Sequence, residues 1–292
     1  MLKNIGIIDM KQKTIKNEIA FSGIGLHSGV NVNIKIKPAQ ENVGIVFRRI
    51  DIKEYDNEVK ALYKNVVNTQ LGTTIANQYG VIVQTIEHFM SAMWACEIDN
   101  AIIEIDNQET PIMDGSAEIF IKEIKKAGII EQQKERKILQ ILKEVEVKDK
   151  NSSIKIVPYD KYKINLSVEY TYGNIGKQSL IFDGNTDYFI HEIAKARTFC
   201  NEREIEFMRQ NGLALGGSLD NAMVFNDKTI INKDGFRCEN EVVKHKLLDC
   251  IGDMYTSGYF IQGEIIADKT GHTLNNELLK KIFSDKDNYV IK

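Results

Sequence analysis

The chain has few of the residues that usually mark a metal or redox site. Its 292 residues include only five histidines and four cysteines, and no two of the cysteines form a CxxC pair. In a chain of this length, scattered cysteines favour neither a disulfide framework nor a cysteine-ligated zinc site. We therefore expect small, semi-buried core cysteines in a reducing compartment. Any metal site or general acid must draw on very few histidines.

Long hydrophobic runs and an excess of one charge are also missing. No stretch approaches the roughly 18 apolar residues that span a bilayer, and the first residues, MLKNIGIIDMKQKTIKNE, hold no signal-peptide core. Lys and Arg total 38 against 41 Asp and Glu, a formal net charge of −3. This balance argues against nucleic acid as a partner and against a polybasic membrane anchor. We expect a cytoplasmic protein.

The sequence does contain alternating strand and helix patterns in a globular composition, with 43% hydrophobic and 27% charged residues. Apolar residues recur with a period of two in strand-like segments and near 3.6 in helix-like segments. Strands are predicted near residues 30–38, 43–50, 101–106, 139–147, 153–157, 163–171 and 260–267. Helices are predicted within residues 81–95 and 111–128 and near 186–196, 240–256 and 274–284.

The two halves repeat a helix, a strand and a second helix. His88 opens the helix that precedes the strand at Ala101, and His245 lies early in the helix that precedes the strand at Phe260. The order predicts an α+β protein built from a duplicated unit. Chance similarity of two common helix–strand units is the alternative.

The repeat also predicts a division of the chain. Residues 1–130 are expected to form a first α+β domain with small inserted strands, and residues 141–292 a second. The short, highly charged segment 131–140 (EQQKERKILQ) is the expected linker.

One face of the predicted helix 240–256 carries an imidazole and two carboxylates. At about 100° per residue, His245, Asp249 and Asp253 fall within one arc, opposite the apolar residues. A His and an Asp four residues apart can hold one divalent ion. A solvated polar stripe on an amphipathic helix explains the same spacing and stays the alternative.

Two further histidines stand in suggestive places. Glu87 and His88 pair a carboxylate with an imidazole, as zinc hydrolases do, although Glu87 also suits the N-terminus of a helix. His272 follows Gly271 in a turn from which an imidazole can transfer protons. A loop histidine without a role is the plainer explanation.

Two other segments offer polar groups or a tight turn. Thr198 and Phe199 supply a hydroxyl donor and a flat apolar face, or simply a turn and a core aromatic. The glycine-rich residues 212–221 fit neither the Walker nor the Rossmann pattern, and a tight backbone turn explains them.

Seven segments taken together, in this order, resemble the UDP-3-O-acyl-N-acetylglucosamine deacetylases, the zinc amidases of lipid A biosynthesis. They are TIEHFMSAM, IDNAIIEI, PIMDGSA, ARTF, GLALGGSLDNAMVF, KHKLLDCIGD and GHTLNN. The resemblance runs from about Thr14 to the C-terminus. It implies hydrolysis of the acetamide of UDP-3-O-(3-hydroxyacyl)-N-acetylglucosamine with release of acetate, the committed step of lipid A and hence lipopolysaccharide biosynthesis.

The resemblance implies a fold and a metal centre. The fold is two similar two-layer domains, each a β-sheet with helices, with the helices packed between the two sheets. The implied ligands of a catalytic Zn²⁺ are His88, His245 and Asp249, which leave a fourth position open. Fe²⁺ suits two histidines and a carboxylate nearly as well.

The resemblance also implies the catalytic residues. Glu87 matches the general base, and His272 matches a protonated general acid. Asp253 matches the acidic residue that pairs with this histidine, and Thr198 matches the hydroxyl that stabilises the oxyanion.

Substrate contacts follow from the same resemblance. Lys246 matches a basic residue near the phosphate and sugar, Phe199 an aromatic that packs on the hexosamine, and Tyr170 an aromatic near the uridine. His27, in GIGLHSG, is expected to contact substrate.

An inserted segment at about 198–222 is expected to form the passage for the acyl chain. Relatives usually continue the Thr-Phe pair with Gly-Phe, whereas this chain has Cys200 and Asn201. That departure leaves the acyl-length preference open.

The expected partner is a UDP-linked acylated glucosamine. Neither nucleic acid nor stable membrane insertion is expected, although peripheral membrane contact is, and the protein is expected to be a monomer. Two alternatives stay open: a related zinc amidase acting on another acylated amino sugar, and a non-catalytic protein that binds a nucleotide sugar or lipid. The intact set of Glu87, His272 and Asp253 favours an enzyme.

Overall fold

A computed structural model describes residues 10–292, so the first nine residues of the predicted domain 1–130 lie outside the described residues. The first half contains ten strands and two α-helices among these residues. In chain order they are β1 (Lys11–Ile15), β2 (Ile19–Ile24), β3 (Asn31–Pro38), β4 (Ile45–Arg49), β5 (Glu58–Lys60), β6 (Val66–Asn68), β7 (Thr74–Ala76), β8 (Ile82–Val83), α1 (Glu87–Ala95), β9 (Ala101–Ile105), α2 (Glu118–Ala127) and β10 (Ile129–Glu135).

The second half continues with nine strands and four helices. They are β11 (Ile138–Ile141), β12 (Val145–Asp149), β13 (Ser152–Val157), β14 (Tyr162–Tyr170), β15 (Gly176–Phe182), α3 (Thr186–Tyr188), β16 (Phe199–Asn201), α4 (Glu202–Gln210), β17 (Met223–Phe225), α5 (Glu241–Tyr255), β18 (Phe260–Asp268), α6 (His272–Phe283) and β19 (Tyr289–Ile291). The helix predicted near 186–196 is α3 followed by a π-helical turn over Phe189–Ile193.

Five strands of the first half form one sheet in the order β2-β3-β9-β4-β5. Strand β3 runs antiparallel to β2 and β9, β9 runs parallel to β4, and β4 runs antiparallel to β5. In β3 the apolar residues Val32, Ile34 and Ile36 are buried while their neighbours face outward. The alternation predicted for residues 30–38 therefore corresponds to one covered and one open face.

Seven strands of the second half form a sheet with β18 at its centre. Strand β18 runs antiparallel to β13 and parallel to both β14 and β11, which pair with successive parts of it. Strand β14 runs antiparallel to β15, and β13 to β12. The order β12-β13-β18-β14-β15 thus repeats the directions of β2-β3-β9-β4-β5. The predicted α+β class with two similar sheet-and-helix units is confirmed.

Helices α1 and α5 pack against each other between the two sheets. Every residue of α1 is buried. Its Phe89 ring lies 5.6 Å from Phe47 of the first sheet, and its Trp94 ring lies 5.8 Å from Tyr162 of the second. Gly252 allows the close approach of the two helices, because a Cβ there would lie 2.0 Å from the carbonyl oxygen of Glu87. The residues of both helices that face the seam are thereby brought together.

The charged segment 131–140 is regular structure rather than an open connection. Its first part belongs to β10, which pairs with β1 in an exposed two-stranded ribbon, and its last part belongs to β11. The many charged residues of this segment indicate exposure to solvent. A two-stranded ribbon at the edge of the molecule is exposed to solvent just as a loop is. The division of the chain into residues 1–130 and 141–292 stays a prediction.

Strands β6, β7 and β8 form a separate three-stranded sheet that connects the first sheet to α1 along the chain.

All four cysteines are free, two of them buried and two half-buried. Among residues 10–292, no helix is both long enough and apolar enough to cross a membrane.

Candidate active site

Two imidazoles and one carboxylate meet where α1 and α5 pack together. His88 lies in the first turn of α1, and His245 and Asp249 lie one turn apart on α5; all three are buried. The Nε2 atom of each imidazole is 3.4 Å from Asp249 Oδ1. One ligand atom from each residue lies within 4.8 Å of the other two. Such a group can hold a single divalent ion.

The hydrogen-bond environment of His245 and Asp249 fits a metal. His245 Nδ1 lies 3.0 Å from the carbonyl oxygen of Ala196 and donates to it, so the bare nitrogen Nε2 points at Asp249. Asp249 Oδ1 is buried and has no hydrogen-bond partner among the described residues. Leaving such an acceptor unsatisfied costs about 1–3 kcal/mol, and a cation between the three ligand atoms removes that cost.

The ionisation of His245 and Asp249 also suits a cation. Burial lowers the pKa of His245 to about 3, so its imidazole is neutral. Burial acts to raise the pKa of Asp249, but neighbouring positive charge, including the Lys246 ammonium that donates to its Oδ2, holds that pKa well below its usual range. Neutral imidazole and ionised carboxylate are the forms that bind metal.

Glu87 immediately precedes His88 and is almost fully buried. The backbone N–H of Thr73 donates to its Oε2 at 2.9 Å. Gly72, at φ +156°, carries the chain directly over the carboxylate, because a Cβ there would lie 3.0 Å from Oε1. Burial raises the pKa of Glu87, which makes the carboxylate a better proton acceptor near neutral pH.

His272, the first residue of α6, forms an ion pair with Asp253. Its Nδ1 lies 2.8 Å from Asp253 Oδ2, which also accepts from Asn275 at 2.8 Å. Burial alone would lower the pKa of His272, but the Asp253 carboxylate outweighs burial and raises the pKa to about 9. His272 is therefore protonated at neutral pH. Its Nε2 lies 4.0 Å from Asp249 Oδ2.

A cavity of about 320 Å³ opens onto His245, Asp249 and His272. Lys246 Nζ lies in its wall and donates to Asp249 Oδ2 at 2.9 Å. The Phe199 ring stands edge-to-face against both His245 and Tyr170, with centroids 6.0 and 5.2 Å away. Thr198 is held by backbone hydrogen bonds to Gly115 and Met223, and its side chain lines the same cavity.

A second, mainly apolar cavity of about 350 Å³ lies next to the first, since Leu71 and Thr198 line both. His27 lies in the wall of this second cavity, and its Nε2 is 3.2 Å from the carbonyl oxygen of Leu71. Cys200 also lines it. Asn201 caps α4, where its side chain accepts from Arg203 N at 3.0 Å.

The structure thus brings the residues singled out in the sequence to one place, except that His27 borders the apolar cavity rather than the triad. Of the residues singled out in the sequence, those that line the first cavity are Tyr170, Thr198, Phe199, His245, Lys246, Asp249 and His272. Thr73, Asn275 and the carbonyl of Ala196 also support the site, but sequence reasoning missed them. Ala196 and Asn275 lie in the segments ARTF and GHTLNN, but their residue types gave no sign of these contacts, and Thr73 lies outside all seven segments.

Comparison with known proteins agrees with this geometry. The sequence model of the UDP-3-O-acyl N-acetylglycosamine deacetylase family matches residues 12–284. The chain is 44% identical to the UDP-3-O-acyl-N-acetylglucosamine deacetylase of Alcanivorax borkumensis over 97% of this chain and 93% of that protein. It is 42% identical to the Thioalkalivibrio sulfidiphilus protein of the same name, over 95% and 91%. Identity to the Neisseria meningitidis protein of that name is also 42%, over 96% and 92%.

Proposed function

The chain belongs to the UDP-3-O-acyl N-acetylglycosamine deacetylase family, and we propose that it removes acetate from UDP-3-O-(3-hydroxyacyl)-N-acetylglucosamine, the committed step of lipid A biosynthesis. The observation that carries this proposal is the buried His88–His245–Asp249 group, of which His245 and Asp249 line the polar cavity. A raised-pKa carboxylate and a protonated imidazole flank that group, as amide hydrolysis requires.

We propose Zn²⁺ as the metal and His88, His245 and Asp249 as its ligands, with Fe²⁺ as the alternative ion. The unsatisfied Asp249 Oδ1 and the tautomer of His245 support this ligand set. When bound, the ion polarises the acetamide carbonyl and lowers the pKa of a water to about 7.

Glu87 is the proposed general base, which takes a proton from the water that attacks the acetamide carbon. Its burial and raised pKa support this role. Its Oε2 is held by Thr73 N, whereas Oε1 has no hydrogen-bond partner among residues 10–292. Oε1 is therefore the oxygen available to receive the proton.

His272 is the proposed general acid, which gives a proton from Nε2 to the departing nitrogen. Asp253 binds the opposite ring nitrogen at 2.8 Å and keeps the imidazole charged. The protonated side chain stands beside the triad, so the carbon–nitrogen bond breaks as the amine leaves neutral.

Thr198 is the proposed oxyanion donor. Its backbone is hydrogen-bonded on both sides, through Thr198 N to Gly115 and through Thr198 O from Met223, each at 2.8 Å. A hydroxyl on so fixed a backbone stabilises the developing negative charge with little rearrangement.

The two adjacent cavities divide the proposed substrate between them. We assign the phosphate and sugar to Lys246, the hexosamine face to Phe199 and the uridine to Tyr170, all in the polar cavity. The acyl chain then enters the apolar cavity, whose wall includes His27 and much of the segment 198–222.

The cellular setting is proposed on the same basis. The substrate carries a nucleotide, which cells keep in the cytoplasm, and we expect the enzyme there as a monomer. Leu71 and Leu219, each 47% exposed, stand at the apolar cavity, which supports peripheral contact with a membrane surface. No role for nucleic acid is proposed.

The test is acetate release from UDP-3-O-acyl-N-acetylglucosamines of several chain lengths, with metal content measured on the same sample. We expect turnover with one equivalent of metal, and loss of both in His245→Ala but not in the exposed control His191→Ala. Binding without acetate release would identify a non-catalytic protein. Faster release from another acylated amino sugar would reassign the substrate.

A further inference from the structure

We propose that Thr73 is a positioning residue that aligns the base and the acid of the site, and that its hydroxyl acts on catalysis through Asp253. This inference rests on the proposed function, because it assumes that Glu87 and His272 transfer the protons. Nothing in the sequence pattern around Thr73 points to such a role.

All three polar groups of Thr73 form hydrogen bonds to residues in or next to the site. The residue is 2% exposed. Its N–H donates to Glu87 Oε2 at 2.9 Å, and its carbonyl oxygen accepts from Ile86 N at 3.2 Å, at the start of α1. Its hydroxyl donates to Asp253 Oδ1 at 2.6 Å. One residue therefore fixes the backbone before the base, one oxygen of the base, and the carboxylate that orients the acid.

The hydroxyl has a specific task at Asp253. The two donors His272 Nδ1 and Asn275 Nδ2 both bind Oδ2, whereas Thr73 Oγ1 is the donor on Oδ1. A carboxylate held through only one oxygen can turn about its terminal torsion, which has a broad energy profile. Because Asp253 Oδ2 orients the His272 ring, such a turn displaces His272 Nε2, the nitrogen that is proposed to donate the proton.

The hydrogen bond also joins the two halves of the fold. Thr73 precedes β7 of the small three-stranded sheet, whereas Asp253 lies on α5, 180 positions away in the sequence. Strand β7 is paired on both edges, and its Ile75 is fully buried. Because the backbone next to Thr73 is held in this way, the two hydrogen bonds of Thr73 fix the position of Glu87 relative to Asp253 and His272.

The first experiment compares Thr73→Val, which keeps the shape and loses the hydroxyl, with Thr73→Ser, which keeps the hydroxyl. We expect Thr73→Val to lower kcat about 10- to 100-fold, as small misplacements of reacting groups do, with KM and metal content within about twofold. Thr73→Ser should restore kcat to within about threefold of the parent. The matched control is Thr74→Val, because Thr74 is also buried but its hydroxyl bonds to none of the described residues.

The second experiment asks whether the hydroxyl acts through Asp253. In an Asp253→Asn background, assayed at high enzyme concentration over long times, Thr73→Val should lower kcat less than twofold further, since interacting residues are not additive. An equal loss in both backgrounds overturns the proposal, as does parental kcat in Thr73→Val. If Thr73→Val does not fold, Thr73→Ala carries the same expectations. Failure of the parent itself to release acetate would instead overturn the proposed function.

Discussion

His245 Nδ1 donates a 3.0 Å hydrogen bond to the carbonyl oxygen of Ala196, and this bond decides which nitrogen of His245 faces Asp249. The position of the Ala196 carbonyl is fixed in turn by hydrogen bonds of the following residue, Arg197. Arg197 donates from its backbone N–H and from its guanidinium to Glu241, a fully buried carboxylate at the start of α5. The proposed ligand His245 is therefore oriented by a chain of contacts that begins at Glu241.

Glu241→Gln should weaken zinc binding. The substitution leaves the Arg197 guanidinium without its buried counter-charge, so the 196–197 backbone loses its anchor and His245 its fixed orientation. Loss of such an outer contact typically costs about 10- to 100-fold in metal affinity, and breaking a buried ion pair destabilises by about 3–5 kcal/mol. Competition with a chelating dye measures the affinity. Glu192→Gln is the control, because the Glu192 side chain is 46% exposed and pairs with Lys244 rather than with Arg197. Equal zinc affinity in the two variants would show that Glu241 does not orient the ligand.

Glu87→Gln should retain the metal and lose most of the rate. The amide keeps the hydrogen bond from Thr73 N but cannot take up a proton. General base catalysis typically contributes about 10²- to 10⁴-fold, so kcat should fall within that range while metal content stays at one equivalent. Glu118→Gln, an exposed change in the first turn of α2, should have no effect on kcat. A parental rate for Glu87→Gln would remove Glu87 from its assigned role.

The rate should fall as pH rises through about 9. His272 is charged below its pKa of about 9 and must be protonated to act as the acid. Asp253→Asn removes the carboxylate that favours the charged ring, so the basic limb of the pH–rate profile should move toward lower pH. Asp268→Asn, on the exposed end of β18, is the control. If the basic limb does not move in Asp253→Asn, the group that titrates in this limb is not His272.

The same shift has a consequence for stability. Because the folded pKa of His272 lies above the ordinary value of 6.5, its contribution to folding is complete below about pH 6.5. That contribution is lost as pH rises toward 9. Asp253→Asn should therefore reduce the fall in unfolding temperature between these two pH values.

Cys200→Phe should shorten the preferred acyl chain. Cys200 lines the apolar cavity of about 350 Å³, and a larger side chain there removes part of the space for terminal methylenes. One methylene in an apolar pocket is worth about 10- to 200-fold in kcat/KM, so the ratio of long-chain to short-chain substrates should drop by at least about tenfold. Cys200→Ser keeps the volume and should keep the ratio. An unchanged ratio in Cys200→Phe would place the acyl chain elsewhere.

The regular elements show how far local pattern reaches. The alternation over 30–38 and the helical period over 240–256 correspond to β3 and α5 within two residues at each end, because each is set by which side chains of one segment are buried. The charged composition of segment 131–140 predicted a linker, but its first part forms strand β10. A local pattern could not indicate this, because β10 is a strand through its pairing with the distant β1. Helix α4 was likewise absent from the predicted elements. It begins at the Asn201 cap, within the residues assigned to an inserted passage.

By itself, the sequence determined the family resemblance, the α+β class and the residue types available for chemistry, because five histidines leave few choices of ligand. It also determined that His245, Asp249 and Asp253 share a helix face. Only the tertiary structure decided what those groups meet. The approach of α1 to α5 at Gly252 brings His88 to the pair on α5, and the loop before β7 brings Thr73 onto Asp253. Contacts between residues more than 150 positions apart depend on how helices and sheets pack, and no local period encodes them.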